Sequence, residues 1–420
     1  MRRALLVFVV MTACNSGAPP VGRSPETSAP AKATTTTATT LPAISLLGRV
    51  VDDSGRPVAG ALVRVGDATT RTAPDGWFDI EGYPPSEISV SRPGWEPHTG
   101  QWEGGPGVTE ITVERRLVRG VRVAGDIAGN EESYRRILDL ADATAVNTLV
   151  FDTKQEGGAV LYDTAVADAH LFGAVRPQYD AAEALAAAQR HDLYTITRIV
   201  TFEDWLWTGA RPADRLIGPW VDATDPETWR YPLALAEEAC ELGFDEIMFD
   251  YVRFPSGSTA AQTGQLDLPQ SERVGAMAAF LAEARRLLHP MGCAVNAAVF
   301  GIVVSSADDQ GIGQRPEEIS VEVDVLSPMV YPSHYSDGWL GFSDPNDHPY
   351  DVTADALDEA MARIAETSTL RPWLQAFWWT PQQIRRSIDA AEDRELGWML
   401  WNVRSNYPVE AIPTDDELGN

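Results

Sequence analysis

The amino-acid sequence predicts a multidomain chain: a (β/α)8 TIM barrel over residues 119–420, preceded by a small all-β sandwich over 44–118. Three observations lead there. Beyond Arg119, eight apolar strand-like runs, from "GVRVAGD" to "GWMLWNV", alternate with helical patterns such as "SYRRILDLADATA" and "PLALAEEACELG". That is the rhythm of a parallel barrel with a helix after each strand. No run is followed by a glycine-rich dinucleotide fingerprint, which argues against an open doubly wound sheet. Between 44 and 118 the runs are shorter, alternate polar with apolar residues, and are punctuated by "DDSG", "RPVAG" and "PDG", the turn chemistry of a β-sandwich.

Taken in order, the chain begins with Arg2, Arg3, an apolar run from Ala4 to Val10, small residues and Cys14. That is the layout of a secretory signal at 1–13, too short to remain as a membrane span. A cysteine directly after "MTA" resembles a bacterial lipobox. It implies cleavage before Cys14, a lipid on that residue, and an exported chain anchored on the extracytoplasmic face of the cell membrane. The competing reading is an ordinary signal with an incidental cysteine. Residues 14–43, with "SAPAKATTTTATTLP", offer little to bury and are expected to form a disordered tether.

Composition narrows the partners. With 33 basic against 61 acidic residues, the formal net charge is -28, and no basic footprint for nucleic acid exists. Lysine occurs only at Lys32 and Lys154, so Lys154 is the one lysine of the folded part. Cys240 and Cys293 sit in apolar contexts and read as buried free thiols, although an exported compartment permits a disulfide. No Cys/His cluster has metal-ligand spacing, and neither a metal nor an organic cofactor is expected. The sandwich shows no catalytic constellation; its Trp77, Trp95 and Trp102 are read as core or interface packing.

Chemistry on such barrels gathers where the strands end. The first run ends on Asp126; the second passes Asp152 to Lys154. The third contains Arg198 and leads to Glu203 and Asp204; the fourth ends on Asp250, ahead of Arg253. The fifth, "NAAVFG", ends without an acid. The sixth gives Tyr331, His334 and Tyr335, the seventh Gln375 and then Trp378 and Trp379, the eighth Trp401, Asn402 and Arg404. Indole faces stack on sugar rings, polar groups bind hydroxyls, and glycosidic cleavage commonly uses two carboxyl groups. An oligosaccharide or polysaccharide is therefore the expected ligand.

In "FDYVRFPSG", period two puts Met248 and Asp250 on one strand face, Phe249 and Tyr251 on the other. If Asp250 faces the axis it stands at the rim, where Arg253 could fold back and hold it ionised, as suits a nucleophile. The alternative is a structural pair that pins the loop. Asp152 and Lys154 share a face by the same period, with Lys154 either binding substrate or closing a rim salt bridge. Asp126, Glu156, Glu203 and Asp204 are further acid candidates, and His334 either donates to substrate or caps a loop. At least one of the Trp378/Trp379 pair is expected to be barrel-packing core. Neither a serine nucleophile elbow nor a P-loop occurs.

Two resemblances attach to these residues. Gly48, Val50, Asp52, Gly55, Pro57, Val58, Gly60, Ala61 and Val63, with Asp75, Gly76 and Phe78, resemble the carboxypeptidase regulatory-like domain, a transthyretin-like sandwich that is usually accessory. "VFDTKQEGG", "ITRIVTFED", "GFDEIMFDYVRFPSG", "LSPMVYPSHY", "RPWLQAFW" and "GWMLWNVRSNYP", in that order over about Gly120 to Pro408, resemble a bacterial family of glycoside hydrolase domains of unknown function, TIM barrels related to α-amylase-like enzymes. The resemblance implies Asp250 as catalytic carboxylate, with Asp152 taken as its partner. It implies substrate-lining roles for Lys154, Arg198, Arg253, Tyr331, His334, Gln375 and Asn402, beside the indoles of Trp378 and Trp401. It also implies an acid in the fifth-strand motif, in a form like "SADVFG", where this chain has Ala298. Either another acid serves, or the protein binds glycan without cleaving it. A third reading makes the sandwich the working part of a structural envelope protein.

Overall fold

The computed structural model describes residues 43–105, 107–256 and 268–419. The expected signal at 1–13, Cys14 and, apart from residue 43, the expected tether lie outside them.

The first strands are β1 (Ile44–Val51), β2 (Leu62–Val65), β3 (Ala68–Arg71), β4 (Trp77–Gly82), β5 (Ser86–Ser91), β6 (His98–Trp102) and β7 (Val108–Thr112). They form two sheets, ordered β4-β1-β7 and β3-β2-β5-β6. In β4, Phe78 and Ile80 are buried while Trp77, Asp79 and Glu81 are exposed, the alternation of a strand with one face on a core. Val50, Val63, Phe78, Ile88, Val90 and Trp102 meet between the sheets. A Cβ at Gly48 would lie 2.3 Å from the Phe78 ring, so only glycine fits there. Trp102 is core and Trp95 packs against it; Trp77 stands outside it, exposed.

The barrel strands are β8 (Arg119–Val123), β9 (Thr148–Lys154), β10 (Tyr194–Val200), β13 (Glu246–Asp250), β14 (Ala294–Phe300), β15 (Val325–Val330), β17 (Trp373–Gln375) and β18 (Trp398–Trp401). A loop hairpin, β11 (Arg215–Ile217) and β12 (Trp220–Val221), follows β10, and β16 (Thr369–Leu370) adds a short pairing on β15 ahead of β17. All barrel pairs are parallel, and β18 pairs with β8, so the sheet closes. Each of the eight expected runs is a strand of this barrel.

Its interior is layered. Lowest, Glu246 pairs with Arg371 (2.8 Å) and accepts from Asn296 (2.6 Å) and Tyr194 (3.2 Å), so a buried charge pair keeps its hydrogen bonds. Above it Val150, Ile196, Met248, Ala298, Trp373 and Met399 form an apolar plug. Uppermost stand Asp152, Arg198 and Asp250, linked to one another. Facing outward, Phe249 meets Phe280 of the helix Gln270–Leu288 edge-on at 5.0 Å.

Arginines of the sandwich hold it to the opposite end of the barrel. Arg71 donates to the Thr367 carbonyl (2.7 Å) and pairs with Asp324 (3.3 Å); Arg115 pairs with Glu395 (2.8 Å); Arg116 donates to the Asp192 carbonyl (2.8 Å). These partners precede β16, β15, β18 and β10, at the N-terminal strand ends, so the sandwich leaves the chemistry-bearing mouth open. Cys240 and Cys293 are joined in a disulfide, Cα–Cα 6.0 Å, which ties the helix Arg230–Leu242 to the start of β14 and replaces the free-thiol reading. Among the described residues no helix is long and apolar enough to cross a membrane.

Candidate active site

Asp250 closes β13 on its inward face. The next residue, Tyr251, turns to φ 52°, a left-handed conformation that is strained for an aromatic side chain. The turn aims the Tyr251 N–H at Asp250 Oδ1 (2.7 Å). It also brings Tyr251 into the cavity wall, whereas strand alternation alone assigns it to the outer face. Arg198 Nε donates to Asp250 Oδ2 at 2.7 Å, Nη1 to Asp152 at 3.2 Å, and Nη2 to Glu156. Burial disfavours this guanidinium's charge, but Glu156, Asp250 and Asp152 outweigh burial and keep it protonated. Arg122 takes the other oxygen of Asp152. The Trp401 ring lies 4.6 Å from the Arg122 guanidinium and 4.9 Å from that of Arg198, a cation–π cover.

A cavity of about 500 Å³ opens at this end, with Asp250, Glu156, Arg198, Arg253, Tyr331 and His334 in its walls beside Trp373 and Trp401. Of the residues expected at the site, Asp250, Arg198, Arg253, Tyr331, His334 and Trp401 are thus brought together. Arg253 does not fold onto Asp250. Its guanidinium is held 4.5 Å from Trp220, 4.9 Å from Tyr251 and 4.5 Å from Phe300, and donates to the Phe254 carbonyl (3.0 Å). Holding Asp250 falls to Arg198 instead. His334, edge-on to Tyr331 at 5.3 Å, has its pKa lowered by partial burial, which favours the neutral ring.

The remaining candidates stand elsewhere. Asp152 is enclosed by Arg122 and Arg198, fully buried and outside the cavity wall. Lys154 does not share its face, because the β9–β10 register slips at this point: Arg198 faces Asp152, and Ile199 faces Lys154. The ammonium pairs with Asp204 (2.8 Å), both side chains fully buried, and donates to the Val200 carbonyl (2.8 Å). Gln375 accepts from Ser333 (2.9 Å), and Asn402 donates to the Ala376 carbonyl (2.6 Å). Trp379 packs, its indole N–H on Asn346 (2.8 Å), while Trp378 projects into solvent.

Two nearby carboxyls, Glu156 in the cavity wall and Glu203 outside it, have opposite tendencies. Burial pushes Glu156 up, but the charge and hydrogen bond of Arg198 outweigh it and hold this carboxyl at about 2. Glu203 Oε2 accepts the N–H of Gly157 (3.2 Å). Burial raises its pKa above the usual range; the Gly157 N–H and Lys154 pull it down, while Glu156 and Asp204 push it further up. Ala298 is fully buried in the apolar plug, one residue beyond the Phe249–Ala297 pair, so by register it stands beside Asp250 and brings no acid. Tyr335, read at the end of the sixth strand, also lines the cavity, whereas the walls contributed by Tyr251 and Trp339 were not legible: a left-handed turn and an irregular loop leave no period to read.

The comparisons fit this architecture. A family model described as "Putative glycosyl hydrolase domain" matches residues 120–407, and the carboxypeptidase regulatory-like domain matches 45–123. No curated protein matches the chain. Among solved structures, a hypothetical protein from Ruminiclostridium thermocellum is 28% identical, covering 42% of this chain and 96% of its own, with TM-score 0.37. The PgaB (BpsB) glycoside hydrolase domain from Bordetella bronchiseptica is 13% identical, covering 69% and 95%, with TM-score 0.49. The spore cortex-lytic enzyme SleL of Bacillus megaterium is 12% identical, covering 75% of each, with TM-score 0.45. With its closed barrel, its carboxylate-lined mouth and a family match over most of its length, the chain belongs to this glycosyl hydrolase domain family and carries an N-terminal carboxypeptidase regulatory-like sandwich.

Proposed function

We propose that the protein is an exported, lipid-anchored glycoside hydrolase that cleaves a cell-envelope or environmental polysaccharide. The observation that carries this is Asp250: a carboxylate at a barrel strand end, facing a cavity of about 500 Å³, with one oxygen fixed by Arg198 and the other by a backbone N–H. A carboxylate so oriented suits a nucleophile, or the base of an inverting reaction. Neighbouring carboxyls driven apart in pKa mark acid and base roles. On that ground Glu203 is the proton donor, Glu156 the anion that helps keep its proton, and Asp152 a positioning group for Arg198. The Cys240–Cys293 disulfide supports an oxidising, exported setting.

A second reading, glycan binding without cleavage, draws on Ala298, which leaves the fifth strand without an acid. The test is release of new reducing ends from purified cell-wall and storage polysaccharides by the native protein and by Asp250→Asn. Release that disappears in the variant supports the hydrolase. Retained binding by both proteins with no release from any glycan supports the second reading.

A further inference from the structure

Trp378 is 85% exposed, while its neighbour Ala376 is 4% exposed. Its backbone φ is 60°, a left-handed conformation that a bulky residue adopts only when its surroundings hold it there. The surroundings do so on both sides. Asn402 donates to the Ala376 carbonyl (2.6 Å), Gln375 donates to the Phe377 carbonyl (3.1 Å), and Trp379 is tied to Asn346 (2.8 Å). Among the aromatic rings of the described residues, the indole of Trp378 meets that of Phe377 edge-on at 5.0 Å. Phe377 in turn packs on Tyr331 at 5.5 Å, and Tyr331 is part of the cavity wall. Aromatic rings thus run without a break from the Asp250 cavity out to an indole held in solvent.

We infer that Trp378 is the stacking platform of a distal subsite, and that the protein engages an oligosaccharide several units long rather than a terminal sugar. Gln375 and Asn402, which stay out of the cavity, are positioning residues that present this indole. This deepens the glycan reading of the same site and rests on it. An exposed aromatic face gains most from the apolar face of a sugar ring, and its fixed backbone removes part of the ordering cost of binding.

The test is binding rather than turnover, so it can succeed even if hydrolysis fails. The full chain is titrated by calorimetry with cello-, malto- and chito-oligosaccharides of two to six units. In the native protein, affinity for at least one series rises with length. In Trp378→Ala the longer members lose about tenfold, a typical worth of one aromatic stack, and the disaccharide binds as before. Asn402→Ala shows the same selective loss, and combining it with Trp378→Ala adds nothing, because one platform cannot be lost twice. Equal affinities of native protein and Trp378→Ala at every length overturn the inference, as does failure of the native protein to bind any series.

Discussion

Arg198 Nε lies 2.7 Å from Asp250 Oδ2, and the other two nitrogens of the same guanidinium reach Asp152 and Glu156. One cation therefore orders three carboxylates, from the end of β13, from β9, and from the turn after β9. A planar guanidinium with several donors can do this; a lysine presents a single nitrogen. Asp250 is consequently aimed into the cavity before any ligand arrives.

Arg198→Lys keeps the charge and removes that fork. Its expected effect is a loss of about tenfold or more in kcat/KM with little change in circular dichroism. An unchanged kcat/KM would detach Arg198 from the chemistry.

Glu203 is testable through pH. A carboxyl with a raised pKa keeps its proton to higher pH, and a proton donor works only while protonated. The rate should therefore fall as pH rises through the shifted value, and Glu203→Gln should abolish this alkaline limb. On unactivated glycosides the variant should lose roughly 10²–10⁴-fold. On dinitrophenyl glycosides, whose leaving group needs no proton, the loss should be small. Equal losses on both substrates would refute the assignment.

The barrel was legible because its cause is local: each strand is an apolar run with period two, and each intervening helix has its own pattern. Asp250 was legible for the same reason, since β13 is regular up to its last residue. The errors arise where a single residue breaks the period. The slip beside Thr153 turns Lys154 away from Asp152; the left-handed Tyr251 enters a wall that alternation denies it. Partners distant in sequence are hidden for another reason. Arg253 is three residues from Asp250 and invites pairing, yet the actual partner, Arg198, is 52 residues away and becomes a neighbour only when β10 lies beside β13. Gln375 and Asn402 show a third limit: an amide that binds sugar and an amide that pins a loop look the same in sequence.

Lys154 is expected to be structural. Its pair with Asp204 is fully buried, and Asp204 also caps the helix Trp205–Ala210 through the Trp207 N–H (2.8 Å). Lys154→Met leaves a buried carboxylate uncompensated, with an expected cost of about 3–5 kcal/mol. Adding Asp204→Asn, which removes the charge and keeps a capping oxygen, should recover much of this in denaturant titrations. KM for any cleaved glycan should stay unchanged in the double variant; a raised KM there would return Lys154 to the substrate.

Asp324 gives the domain junction a pH dependence with a defined sign. It accepts from His289 (2.9 Å) and the Val295 N–H (2.8 Å), and pairs with Arg71 of the sandwich (3.3 Å). Burial pushes its carboxyl up, but His289 and Arg71 prevail and hold it at about 2, below the ordinary 3.8. An acid whose folded pKa is depressed stabilises the fold above its unfolded pKa, and this contribution is lost as pH falls through the folded value. The interaction is worth about 2 kcal/mol at neutral pH. Asp324→Asn should be less stable by about that amount at pH 7, and the gap between variant and native protein should close between about pH 4 and pH 2. Denaturant midpoints measured across that range decide it. A gap that stays constant with pH would mean that the pairings of the Asp324 carboxylate with His289 and Arg71 add no net stability.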